Sequence, residues 1–182
     1  MRCRLIAFAA ALVLAGCTAP PHGPSQSVAE IPQGFFNNLI DPDLGCVNES
    51  SYSFGSPNIL HGNPAATLRA TICVEYLAAQ TNSPRWTSVP PLTQMQLPEA
   101  RDALRRVVGI APNAPPPLVV NTLLRLLHDL QVGNMMDARA VIAPPLFTMP
   151  PDQTLAVLTN LPPVPIAHVA TQQAELEAMR LH

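Results

Sequence analysis

The residues whose types could do chemistry are few and widely spaced. Arg125, His128 and Asp129 fall three and four positions apart, so on a helix they share one face. An imidazole between a guanidinium and a carboxylate could act as a general acid–base group or as an anion site inside a bundle. The plainer alternative is a solvent edge, or a local ion pair filling a gap in a core. Arg85 beside Trp86, in a proline-bounded loop, could form a cation–π anchor for a partner, or Trp86 could simply close over a core. Asp41-Pro42-Asp43-Leu44-Gly45 opens like a calcium loop, but it lacks the further ligands and the closing glutamate, and reads as a turn. His22, His61, His128, His168 and His182 are not at metal-ligand spacing on any one helix, so no metal site is expected. The G-x-S-x-G elbow, H-E-x-x-H and the glycine-rich phosphate loops do not occur, and Gly55-Ser56-Pro57 reads as a turn. Cys46 and Cys73 lack C-x-x-C spacing, and Cys73 falls mid-helix, where no helix N-terminus would activate it.

The elements that must carry these residues read as helices. Asn63 before Pro64 is an N-cap followed by proline at the first helical position. Ala65, Leu68, Ile72, Tyr76 and Ala79 then make one apolar stripe, and Ala66, Ala70, Cys73 and Leu77 a second beside it. Such a wide stripe implies packing on two sides. The spacing predicts a second helix from Pro98 to a stop at Gly109, with Asp102 pairing with Arg105 or Arg106 on its outer face. The most apolar segment, 117–132, is expected to be the central helix. Shorter helices follow, one capped by Asn134 and one opened by Pro150-Pro151, and a last helix from Pro165 carries the stripe Ile166, Ala167, Ala170, Ala174, Ala178 and Leu181. Residues 35–62 are the least regular, with Phe35, Phe36, Leu39 and Ile40 spaced to dock one turn onto the core. Pro90-Pro91-Leu92 and Pro144-Pro145-Leu146 echo one another, which shared punctuation explains better than a duplication. No alternating apolar run with hairpin turns appears. The expected fold is all-α, a single bundle of about five or six short helices with proline-rich loops.

Arg2 and Arg4, the apolar run Leu5–Leu14 and the closing Leu14-Ala15-Gly16-Cys17 resemble the signal peptide and lipobox of bacterial lipoproteins. Ten apolar residues are too few for a spanning helix, which needs about 20. The resemblance covers residues 1–17 and implies cleavage before Cys17, with diacylglycerol on its sulfur and an acyl group on its new amino terminus. Two or more chains give stable attachment, at about 0.8 kcal/mol per buried CH₂. Thr18, where an Asp would favour retention at the inner membrane, points to the outer membrane of the envelope. Residues 17–34, rich in Pro, Gly, Ser and Gln, read as the lipidated end and a flexible tether, and 35–182 as the helical domain.

Removal of residues 1–16 takes Cys3 and two of the ten arginines. Eight arginines then face twelve acids, a side-chain balance of −4, and there is no lysine. That balance, with 4% aromatic residues, gives no footprint for nucleic acid and no polybasic patch for anionic lipid. An apolar share of 48% argues for a packed body rather than disorder. With Cys17 lipidated, Cys46 and Cys73 are the two thiols left in an oxidising compartment and are expected to form a disulfide. The function expected is that of a non-enzymatic envelope lipoprotein, binding a protein partner or serving as an accessory subunit. A carrier of an apolar small molecule or lipid is the second expectation. A third arises from Glu49-Ser50, which resembles the catalytic Glu-Ser of lytic transglycosylases acting on peptidoglycan, although the other motif segments of that family are missing.

Overall fold

The computed structural model describes residues 29–36 and 41–180. The expected signal peptide, the expected lipidation site Cys17 and most of the expected tether lie outside the described residues, as do Leu39 and Ile40. The described chain is all-helical: α1 Pro42–Gly55, α2 Pro64–Gln80, α3 Pro91–Val108, α4 Pro116–Gln131, α5 Met135–Val141, α6 Pro151–Thr159 and α7 Pro165–Arg180. Short 3₁₀ turns at Pro57–Ile59 and Pro84–Trp86 join the first three. Six of the seven helices carry proline in their first turn, where its missing N–H costs nothing and its fixed φ starts the helix. Their stops are chemical too. Gly109 closes α3 in the left-handed conformation at φ 80°, sending its N–H back to the Arg105 carbonyl.

α2 is the central helix, in place of the expected 117–132. Its double stripe buries Leu68, Ala70, Ile72, Cys73, Val74 and Leu77 completely, and α1, α3, α4 and α6 all pack on it. α4 is amphipathic instead: Val119, Val120, Leu123 and Leu126 face α2, while Leu118 stands exposed. α7 lies antiparallel across α1 and α3, its buried Ala167, Ala170 and Ala174 allowing close approach. Ser51 donates to Glu175, and Gln172 donates to the Ser51 carbonyl and hydroxyl, tying α1 to α7.

Four further expectations are corrected. The irregular stretch contains α1: Asp41 is an N-cap whose Oδ1 accepts from the N–H groups of Asp43 and Leu44 at 3.0 and 3.3 Å, the same device as Asn63 before Pro64. α3 begins at Pro91, not Pro98, because buried Thr93 and Leu97 extend its apolar stripe through the proline. Asp102 pairs with neighbouring Arg101, while Arg105 turns inward. The domain begins before residue 35, since Ala29 is fully buried and its carbonyl accepts from Gln80 at the end of α2. The two proline echoes differ in structure. The first opens α3. The second leads into a loop in which Phe147 pairs with Ile110 in a single antiparallel bridge.

Candidate functional site

α1, α2, α3 and α7 meet at one end of the bundle: α1 and α3 begin there, and α2 and α7 finish there. Asp41, at the cap of α1, directs its second carboxylate oxygen to Arg85 Nη2 at 2.7 Å. Asp43, in the first turn of α1, accepts from the Tyr76 hydroxyl at 2.6 Å and from the Trp86 indole N–H at 3.1 Å. Arg85 Nε lies 3.3 Å from the same carboxylate. Gln94 of α3 donates to the Trp86 and Val89 carbonyls, fixing the 3₁₀ turn. Beside this network is a pocket floored by Leu44, Val47, Val89, Ala174 and Ala178 and edged by Glu177. Glu177 is held by Gln173 and Arg180.

The network sets its own charge states. Burial works to raise the Asp41 carboxyl, but the Arg85 hydrogen bond and the backbone N–H groups outweigh it and hold it below its ordinary range. Arg85 is raised, chiefly by its bond to Asp41. The Tyr76 phenol is pushed far up by burial and then by its bond to the Asp43 carboxylate, so it remains a neutral donor. Trp86 is only 6% exposed, which makes it a lid over the core rather than an exposed anchor. The cation stacked on aromatic rings is Arg69, 4.4 Å from the Phe35 centroid and 5.6 Å from that of Phe36.

Arg69 also fixes Glu49. That residue sits in α1 with its carboxylate 3.0 Å from Arg69 Nη2, while Arg69 Nη1 donates to the Phe35 carbonyl. Glu49 therefore belongs to a clamp holding the N-terminal segment on α1 and α2. Arg125, His128 and Asp129 share a face of α4, but they do not converge. Arg125 is exposed, its Nε is 4.0 Å from Asp129 Oδ2, and that oxygen accepts no hydrogen bond. His128 is exposed as well.

Cys46 and Cys73 are both fully buried, on α1 and α2, and both are free thiols, so the expected disulfide is not formed in this structure. The two thiols lie on neighbouring helices that pack together. Burial first, then Cys46, pushes the Cys73 thiol well up, which keeps it protonated and unreactive. Among the described residues no cluster of three or more His, Cys, Asp and Glu could hold a metal ion.

Sequence reasoning missed Asp43 and Tyr76. The signal that could have found them is the Asp-Pro helix start, which places Asp43 in a first turn aimed at whatever packs there. Comparison with protein families, curated proteins and solved structures finds no match to this chain.

Proposed function

We propose that this chain is a lipid-anchored protein of the bacterial cell envelope, facing the periplasm. Its helical body binds a protein partner or acts as an accessory subunit. The observation that carries the reading is Leu14-Ala15-Gly16-Cys17 at the end of a basic-then-apolar leader. The polar cluster at the end of the bundle is in keeping with a binding rather than a catalytic body. Asp41 and Asp43 accept from donors on the same chain, an arrangement that holds the shape of this end. The test is the full chain expressed with its own leader in a bacterial host. The wild type should fractionate with membranes and show a diacylglyceryl-cysteine terminus by mass spectrometry. Cys17→Ser should abolish both. A wild type with Met1 intact, or with an unmodified thiol at position 17, would overturn the reading. Affinity purification from detergent-solubilised envelopes should then yield a stoichiometric protein partner.

A second reading, a carrier of an apolar small molecule, is favoured by the apolar floor of Leu44, Val47, Val89, Ala174 and Ala178. Native mass spectrometry of the purified protein should then show bound ligand, and a clean ligand-free mass would remove it.

A further inference from the structure

Among the described residues ten large apolar side chains stand exposed, and four of them lie on the stretches of α3 and α7 at the end of the body where the tether joins. Leu92 and Met95 are 60% and 63% exposed in the first turns of α3. Leu176 and Met179 are 52% and 66% exposed in the last turns of α7. Each pair is three residues apart and so lies along one helix face. α3 and α7 pack together, and the pocket lined by Val89 and Ala178 places the start of one beside the end of the other.

Ala29 joins at the same end. Its carbonyl accepts from Gln80, the last residue of α2. It shares a surface recess with Pro42, the first residue of α1, and with Tyr76, which bonds Asp43. From Ala29 back to Cys17 there are only eleven intervening residues, 18–28. A coil of that length averages about 20 Å end to end. An anchor at Cys17 therefore lies, on average, closer to this end of the bundle than to the opposite one.

We infer that the end of the bundle carrying Leu92, Met95, Leu176 and Met179 is a membrane-seating face, resting on the lipid surface into which Cys17 is anchored. The inference depends on the lipid anchor proposed above. Its partner is the interfacial region of a bilayer, which accepts apolar side chains to a depth of about 5–10 Å. Arg85 and Arg180, with side chains 60% and 70% exposed at this same end, flank the face. Each has N–H groups beyond those used by Asp41, Asp43 and Glu177, and these suit lipid phosphates. The seating orients the body. Val132, Met135 and Met136, exposed at the α4–α5 corner, are left for other contacts.

Trp86 is the only tryptophan and, though closed over the core, lies at the seating end, so its emission reports on that end alone. The mature full chain, purified in detergent, is reconstituted into phosphatidylcholine vesicles whose acyl chains carry bromine, a short-range quencher of indole emission. With the apolar residues inserted, Trp86 emission should fall by roughly half relative to unbrominated vesicles. Leu92→Ser with Met95→Ser, both at exposed positions, should restore it while the protein stays vesicle-bound and its circular dichroism is unchanged. Val132→Ser with Met136→Ser should leave the quenching as it is. Vesicle-bound protein with unquenched Trp86 overturns the inference and leaves the anchor standing. Failure to bind vesicles, with no lipid on Cys17, overturns the anchor itself. A stable dimer with Trp86 unquenched would assign the face to a second copy of the chain and equally overturn membrane seating.

Discussion

At the scale of single residues, Asp41 does two jobs that can be separated. Its Oδ1 caps α1, and its Oδ2 holds Arg85. Asparagine caps a helix about as well as aspartate but carries no charge. Asp41→Asn therefore keeps the cap and removes the titration. Because the folded carboxyl is held below its ordinary value of 3.8, its ionisation stabilises the fold above that value. The contribution is lost as pH falls through the lower, folded pKa. Exposed pairs of this kind are worth about 0.2–1 kcal/mol, so the effect is modest. Denaturant midpoints measured from pH 7 down to pH 2 should show a wild-type advantage over Asp41→Asn that vanishes at the acid end. An advantage that persists there would mean that the charge is not the source. Tyr76 has the opposite sign: its raised pKa stabilises the fold below about pH 10 and ceases to do so as pH rises further. Of this cluster, the sequence offered Arg85 and Trp86 as a partner contact or, for Trp86, a lid over the core, and the burial of Trp86 fits the lid. Their partner Asp43 was not legible, because the motif around it also matches a turn.

At the scale of elements, proline is both the chain's clearest signal and its main source of error. Proline after Asn63 and at 151 and 165 marks helix starts correctly, and α4 starts at Pro116, one residue before the expected 117. Pro98 carries the same signal and is instead interior to α3. Local chemistry could not separate these cases. What decides is tertiary: Thr93 and Leu97 are buried in line with Ala100, Leu104 and Val108, and their burial outweighs the missing hydrogen bond to Gln94. The cost of an interior proline should therefore be present in the native fold. Pro98→Ala restores an N–H opposite the Gln94 carbonyl and removes the ring clash. It is expected to stabilise the protein by about 1–3 kcal/mol. Urea unfolding would check this; an unchanged midpoint would mean that the helix is already distorted enough at Pro98 to relieve the strain.

At the scale of the whole molecule, hydropathy and capping were sufficient for the fold class, but they could not say which helix lies at the centre. The segment 117–132 has the most leucine, yet α2 has the wider buried surface because its alanines and threonines admit neighbours on several sides. Nor could pattern show that a charge lies inside. Arg105 is among the largest fully buried side chains, with Nε and Nη2 each 2.7 Å from a different oxygen of Glu75. Its Nη1 donates to the carbonyls of Pro112 and Ala114 at 2.8 and 2.9 Å. One side chain thus joins α2, α3 and the loop leading into α4. Arg105→Ala strands the Glu75 carboxylate in the core and should cost about 3–5 kcal/mol in chemical denaturation. Arg105→Met combined with Glu75→Leu removes both charges and fills the space. It should recover most of that loss. Recovery should stop short of wild type only by the two loop carbonyls, and these lie close enough to the surface for water to replace the lost donors. If the double variant were as unstable as Arg105→Ala, the pair would owe its worth to bridging the loop rather than to balancing a buried charge. Hydrogen exchange would then show amides around residues 110–116 opening before those of α2.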